Sequence, residues 1–363
     1  MSNFKINPYL SVVISSRNDD HGDNLLRRMQ VSLNGLLEQL EKNRIESELI
    51  MVEWNPPADK PPLKDVIKWP NLLRYCTVRV IVVPYSIHQR YRGSDKMPMI
   101  REVAVNCGIR RARGQFILPG AIDLLYSEEL MSYIAARSLR VDEEYRIDRR
   151  DVEKGVVQFD TLKEQLEYCK KNTIRINSHT PPVPRRWWHG SDLPNLHTNA
   201  AGDFQLLSKS YWHLLRGYSE DFLFAYGDGL FCHMAYAAGA REVILNDNMH
   251  LYHIDHEDKF IDKIERTRLP YENWLSSFPL PIWFNSKIMG LYRMFLSLFS
   301  YKLKSSVYGI PTLDYTEYRR IAREMVAGRR PYYLNDGNWG LGKDNLEECV
   351  INTAEWDKNY AKN

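Results

Sequence analysis

The chain has 363 residues, enough for one large α/β domain with an appendage or for two domains. Its 49 Lys and Arg against 46 Asp and Glu leave a net charge of +3, scattered along the chain, which excludes a nucleic-acid footprint. Five cysteines, odd in number and without a CxxC spacing, exclude a disulfide framework and read as reduced cytosolic thiols. Leu10–Ser15 (LSVVIS) is a continuous apolar run, as in a strand buried on both faces, and it breaks into the polar turn SRNDDHGD. A helix from about Asn24 to Lys42 follows, with Leu25, Leu26, Met29, Leu33, Leu36, Leu37 and Leu40 on one face. Glu48–Val52 and Val78–Val83 are further strands, the first ending at Glu53, Trp54 and Asn55. After the polar His88–Lys96 loop, a helix is expected from about Pro98 to Arg113, then a short buried strand at Gln115–Pro119. Strands alternating with helices imply a mostly parallel sheet with right-handed crossovers.

Beyond this half the pattern changes. Glu144–Ile147 reads as a strand, Leu162–Lys171 as a short amphipathic helix, and residues 172–198, with Trp187 and Trp188, as a long irregular loop. Gly202–Ser208 and Ala240–Leu245 bracket a helix around Leu230–Ala238. From about Lys259 the composition turns aromatic and basic, which places a boundary there. Ile288, Leu291, Tyr292, Phe295, Leu298 and Phe299 recur at helical spacing beside Lys302 and Lys304. That stretch is either an interfacial amphipathic helix or one packed on the protein or on a second copy. Thr316–Ala327 is another helix, stopped by Gly328, and NDGNWGLG around Trp339 reads as a structural latch. The polar start MSNFKINPY is unlike a secretory signal, and no apolar run nears the ~20 residues of a membrane span. A cytoplasmic protein is expected.

The first chemical candidate is Asp123, just past the carboxyl end of the Gln115–Pro119 strand, where open α/β sheets collect their ligands. It either offers a carboxylate to a phosphate or metal, or caps the helix begun at Ser127–Leu130. The turn SSRNDDHGD lacks G-x-G-x-x-G, which excludes a dinucleotide fold, and no P-loop is present. Nor does that turn supply the Gly-rich basic loop of a sugar nucleotidyltransferase. His250, His253 and His256 fall within seven residues in HLYHIDH, and Asp228 opens a helix as either an acid or a cap.

SVVISSRND, ELIMVEWN, the Asn106–Asp123 block and GDFQLLSKSYWHLLRGYSEDFLFAYGDGLFCHMAYAAG, in that order, resemble the nucleotide-sugar glycosyltransferases of the A fold, family 2 and its close relatives. The resemblance covers roughly residues 9–256; LNDGNWGLG and YRIDRRDV resemble a bacterial subgroup. It implies a glycosyltransferase-A-like α/β domain over 1–258, mostly parallel with helices on both faces. Within it, a nucleotide-binding half covers about 9–125 and an acceptor half about 126–258, and 259–363 form a mostly helical extension. It further implies that Ser15, Ser16, Arg17, Asn18 and Glu53 hold the nucleoside, with Glu53 accepting from a uracil-type N–H. Arg101 and Asn106 would face that pocket, Arg101 as a diphosphate ligand or a plain surface arginine, and Asp203 would touch donor or acceptor. The family's Asp-x-Asp is Ala121-Ile122-Asp123 here, so Asp123 alone would ligate Mn²⁺ or Mg²⁺, joined by His253 and then His256. Asp228 would be the general base of an inverting transfer from a nucleotide-diphosphate sugar, a UDP-sugar first, to a hydroxyl of a glycan or lipid-linked acceptor. Peripheral membrane contact and a homo-oligomer are expected alongside. The missing first carboxylate equally suits a non-catalytic nucleotide-sugar or glycan-binding protein of the same fold.

Overall fold

The computed structural model describes residues 8–19, 21–179, 193–221, 226–256, 264–266, 305–307, 310–311, 313, 315–354 and 357. Trp187, Trp188 and the 288–304 stretch with its two lysines lie outside them. The strands are β1 (Leu10–Ser16), β2 (Ser47–Trp54), β3 (Cys76–Val83), β4 (Phe116–Gly120), β5 (Leu124–Tyr126), β6 (Glu143–Ile147), β7 (Arg149–Val152), β8 (Thr173–Asn177), β9 (Leu207–Ser208), β10 (Arg241–Leu245), β11 (Leu251–Ile254), β12 (Ile264–Arg266), β13 (Ser305–Val307), β14 (Ile310–Pro311) and β15 (Glu347–Asn352). The helices are α1 (Leu25–Lys42), α2 (Leu63–Val66), α3 (Tyr85–His88), α4 (Arg101–Arg111), α5 (Glu128–Ala135), α6 (Leu162–Lys171), α7 (Lys209–Leu215), α8 (Gly227–Ala237) and α9 (Tyr315–Val326).

The main sheet runs β15-β3-β2-β1-β4-β9, with β3, β2, β1 and β4 parallel and the two edge strands antiparallel. Its parallel strands alternate apolar residues toward two cores. Val13, Ile50, Val52 and Ile81 meet α4 and α8, whereas Val12, Ile14, Leu49 and Met51 meet α1 and α5. This is the mixed α/β, parallel-rich arrangement with helices on both faces that the alternation implied. Strand order reverses at β1, so the crevice between the carboxyl ends of β1 and β4 is the topological switch point.

One expectation is corrected here. The 172–198 stretch is not all loop, because Thr173–Asn177 forms β8, an edge strand paired with β7. Of residues 259–363, two described elements pack directly on the main domain. β15 pairs with β3 and covers an edge that would otherwise expose its ladder, and α9 packs Tyr318, Ile321, Ala322 and Met325 into the core shared with α8. A buried ionic knot fastens β15. Glu48, fully buried, accepts from Ser11 Oγ at 2.6 Å, Arg79 Nη1 at 2.7 Å and Arg113 Nε at 2.8 Å, while Arg79 Nε reaches Glu348 at 2.7 Å.

The NDGNWGLG segment closes over α4. Arg111 donates to the carbonyls of Gly340 and Leu341 at 2.8 Å, and the Asn335 amide reaches the carbonyls of Arg216 and Tyr218. A Cβ on Gly340, whose φ is +61°, would stand 2.5 Å from the Asn106 carbonyl oxygen. Only glycine fits this close approach. Among the described residues, no helix is long and apolar enough to cross a membrane.

Candidate active site

Asp123 follows β4 by a three-residue turn and leads into β5, which places it at the switch point. Capping of α5 falls instead to Ser127, whose side chain accepts from Leu130 N at 3.2 Å. Asp123 is 3 % exposed, and its carboxylate gathers basic side chains from α1 and from β11 with the residues that follow it. Arg28 Nη1 of α1 donates to Oδ2 at 2.6 Å, His256 Nε2 lies 3.3 Å from the same oxygen, and His253 Nε2 lies 3.7 Å from Oδ1. Burial alone would raise this carboxyl. The His256 hydrogen bond and the charges of His253, His256 and Arg28 outweigh burial and hold it down at about 2.

Sheet register builds the next layer. Leu124 of β5 pairs with His253 of β11, His253 pairs with Asp151 of β7, and Asp151 pairs with Arg175 of β8. Period-two alternation turns Arg149, Asp151, His253, Arg175 and Asn177 to one face, while Val152, Tyr252 and Ile254 pack against α6 on the other. His253 Nδ1 therefore stands 3.2 Å from Asp151 Oδ1, an ion-pair contact short of ideal hydrogen-bond alignment. Asp151 is fully buried and is held by Arg175 Nε at 2.5 Å, Asn177 Nδ2 at 3.0 Å and Arg149 Nε at 2.9 Å. Burial pulls His253 down, but Asp151, Asp123 and Asp203 together raise it. His250 stands outside the cluster; its backbone exchanges hydrogen bonds with Ser127.

These groups fit a divalent cation. Asp123, His253 and His256 offer ligand atoms all within 4.8 Å of one another. Ligands about 2.1 Å from a shared ion sit roughly 3.0–3.5 Å apart, so a small contraction would close the set. A carboxylate behind one histidine is the usual means of fixing which ring nitrogen faces the metal. Two imidazoles with one carboxylate favour Mn²⁺ or another transition ion over Mg²⁺. Ala121, where a second acid would stand, packs half-buried against the α1 core.

A second acid, Asp228, stands at the start of α8. It is not the N-cap of α8, which is Tyr226 in a left-handed conformation, but the second helical residue. Its Oδ2 accepts from Gly202 N and its Oδ1 from Gly229 N, both at 2.8 Å. Gly202 is placed by Arg101, whose Nη2 donates to its carbonyl at 2.9 Å, and by Arg146, fully buried and donating to the carbonyls of His197, Asn199 and Ala201. Asp203 closes the gap to the first cluster by accepting from Arg149 Nη1 at 2.6 Å. One chain of contacts thus runs from Arg28 through Asp123, His253, Asp151, Arg149 and Asp203 to the Gly202–Asp228 pair.

The remaining candidates line the β1 and β2 ends. Ser15 and Ser16 close β1, Arg17 donates to the Asn55 carbonyl at 2.8 Å, and Asn18 donates to that of Pro61 at 2.9 Å. Glu53 is fully buried; Oε1 accepts from Leu63 N at 2.8 Å and Oε2 has no partner among the described residues. Burial raises its carboxyl. Asn106 lies elsewhere: it is fully buried, donates to the Tyr218 carbonyl and to Glu220, and accepts from Tyr218 N. Its amide fastens the 218–220 segment and does not face the crevice. Arg28, Asp151, Arg149 and Arg146 were not anticipated, because only strand register and tertiary packing bring them here.

No protein-family model matches the chain, and no curated protein sequence matches it. Among solved structures it is similar to S. aureus TarS 1-349 in complex with UDP-GlcNAc, at 15 % identity and a TM-score of 0.45, over 77 % of this chain and 70 % of that one. It is similar to a second structure of S. aureus TarS 1-349, at 17 % identity and a TM-score of 0.42 over 68 % of this chain; there it spans only 60 % of the other's length. A mannosyltransferase, PcManGT from Pyrobaculum calidifontis in complex with GDP-Man and Mn²⁺, is similar at 13 % identity and a TM-score of 0.40, over 74 % of this chain and 60 % of that one. Likeness at this level says nothing of activity, which rests on the site's own groups.

Two outcomes follow from the geometry. Asp151→Asn, which keeps the shape but removes the charge behind His253, should weaken Mn²⁺ binding by roughly 10–100-fold. Titration followed by EPR of free Mn²⁺ reads this, and an unchanged affinity would remove Asp151 from the cation's support.

The second concerns Glu144, which is 2 % exposed and accepts from Gln205 Nε2 at 3.1 Å. Burial raises its carboxyl to about 7, Arg146 offsets part of this, and Glu242 adds to it. A carboxyl that holds its proton more tightly when folded favours folding least once it is ionised. Its contribution is therefore greatest below the ordinary 4.5 and falls as pH rises toward about 7. Glu144→Gln should accordingly raise stability at pH 8, on the order of 1–3 kcal/mol, and by much less at pH 4.5. Urea unfolding at the two pH values checks this; equal shifts at both would contradict it.

Proposed function

We propose that this chain is a glycosyltransferase that moves a sugar from a nucleotide-diphosphate donor to a hydroxyl, by a single displacement with inversion. One observation carries the reading. An Asp–His–His cation set with an orienting carboxylate lies at the switch point of a parallel sheet, joined through Arg149 and Asp203 to a second acid held by two backbone amides.

The nucleoside would lie over the carboxyl ends of β1 and β2, among Ser15, Ser16, Arg17 and Asn18. Glu53 Oε2, buried and without a protein partner among the described residues, suits a base N–H such as that of uracil. When bound by Asp123, His253 and His256, a divalent cation would supply neutralisation of charge on the leaving diphosphate. Asp228 takes the proton of the acceptor hydroxyl as its oxygen attacks the anomeric carbon; that carbon–oxygen bond forms while the bond to the diphosphate breaks, and the diphosphate leaves with the electron pair. The Gly202 and Gly229 amides use one lone pair on each carboxylate oxygen and aim the others. Arg101 stands against Gly202 and adds positive potential beside the reacting groups. The acceptor is a glycan or lipid-linked alcohol.

A second reading, a nucleotide-sugar or glycan-binding protein without turnover, is favoured by one observation: Ala121 leaves the cation a single carboxylate. A panel of UDP- and GDP-sugars, assayed by thermal shift with and without Mn²⁺ and then by donor hydrolysis, separates them. Binding with turnover supports the transferase, binding without turnover supports the second reading, and no binding across the panel contradicts both.

Asp228→Asn tests the base. Turnover should fall by roughly 10²–10⁴ with donor affinity little changed. Because an amide can satisfy only one of the two glycine N–H groups, the variant should also lose about 1 kcal/mol of stability. A fully active variant would remove Asp228 from this role and direct the test to Asp203.

A further inference from the structure

Arg28 enters the cation centre from α1, and nothing in the proposed reaction employs it. Its side chain is 3 % exposed and divides its donors three ways. Nη1 binds Asp123 Oδ2 at 2.6 Å, Nη2 binds the His21 carbonyl at 2.6 Å, and Nε binds the Asp23 carbonyl at 3.1 Å. The turn so gripped has three successive left-handed residues, Gly22 at φ +70°, Asp23 at +60° and Asn24 at +53°. Gly, Asp and Asn are the residue types that take this conformation most readily, and the two carbonyl contacts from Arg28 tie the turn to α1. It is also seated on the cation centre: a Cβ on Gly22 would meet His256 Nδ1 at 2.6 Å and Arg28 Nη2 at 3.0 Å.

A cation shared by Asp123, His253 and His256 would draw on an acid whose Oδ2 already serves the guanidinium and lies 3.3 Å from His256. A divalent cation and the Arg28 guanidinium would repel each other there and compete for the same Oδ2. A second acid in the triplet would relieve this, but residue 121 is alanine.

We propose that Arg28 is the resident counter-ion of Asp123, which a divalent cation must displace, and that this displacement loosens the 21–24 turn beside the nucleotide crevice. The coupling is reciprocal: whatever holds the turn weakens the cation, and the bound cation loosens the turn. A displaced guanidinium at this place is a ready partner for a phosphate oxygen. The inference rests on the cation reading above and adds to it a defined competitor.

The test uses the full chain, with Mn²⁺ as the probe. Mn²⁺ affinity is measured by EPR titration on the parent, Arg28→Met and Asp123→Asn, and hydrogen exchange is followed in the peptide spanning 21–24. Arg28→Met should bind Mn²⁺ roughly 10–100-fold more tightly than the parent. Mn²⁺ should speed exchange of the turn in the parent, whereas in Arg28→Met exchange should be fast from the start and indifferent to Mn²⁺. Mn²⁺ that binds through Asp123 yet slows the turn, or leaves it unchanged, overturns the counter-ion proposal alone. So does an Arg28→Met variant that binds no more tightly. If Mn²⁺ binds none of the three proteins, or binds Asp123→Asn as it binds the parent, the cation reading falls and the proposal with it. Should Arg28→Met not fold, the exchange measurement on the parent still decides.

Discussion

A carboxylate that stays ionised when buried at the end of a sheet needs positive groups to meet it, and Asp123 sets that constraint for this fold. It is 3 % exposed, and the groups that answer it come from α1 and from β11 and its continuation. Arg28 rises from α1, His253 from β11, and His256 from the segment just after β11. Each of these is held in turn. Asp151 backs His253, Arg149 and Arg175 neutralise Asp151, and Arg28 also fastens the turn that leaves β1. Removing the acid would leave the buried Arg28 guanidinium without its carboxylate and both histidines without their shared acceptor, which explains why polar groups here form a continuous chain and not scattered pairs.

That chain joins the two halves of the molecule. The main sheet contributes the switch point, and the small sheet of β5, β11, β7 and β8 contributes the row His253–Asp151–Arg175. Arg149 then hands over to Asp203, next to the Gly202 amide that holds Asp228. Behind Asp228, α9 packs on α8, with Tyr318 OH 3.0 Å from His233 Nε2. The C-terminal residues therefore buttress the acid proposed as base, and the latch at Gly340 holds the α4 helix that carries Arg101.

Much of this was legible in the sequence. The runs LSVVIS, ELIMV and VRVIVV are buried on both faces and became β1, β2 and β3, and the seven-residue HLYHIDH supplied two of the three candidate ligands. What could not be read was anything decided by register. Asp151 sits in DRRDV, an unremarkable charged run, and only parallel pairing of β7 with β11 sets it beside His253, some hundred residues away. Arg28 follows another arginine on a helix whose apolar face was plain, yet it points inward to an acid 95 positions later. Asn106, which the resemblance set beside the pocket, is used by packing to hold Tyr218 and Glu220. The Glu347–Asn352 strand was not anticipated, and its place beside β3 comes with the Arg79–Glu348 pair and the antiparallel ladder.

The account stands or falls on what surrounds a cation at Asp123. Pulsed EPR of the Mn²⁺-loaded protein reads ligand nitrogens directly, without requiring turnover. The account predicts couplings from two imidazole nitrogens, with one lost in His253→Gln and the other in His256→Gln. A Mn²⁺ signal carrying oxygen ligands and water alone, with no nitrogen coupling, would contradict it.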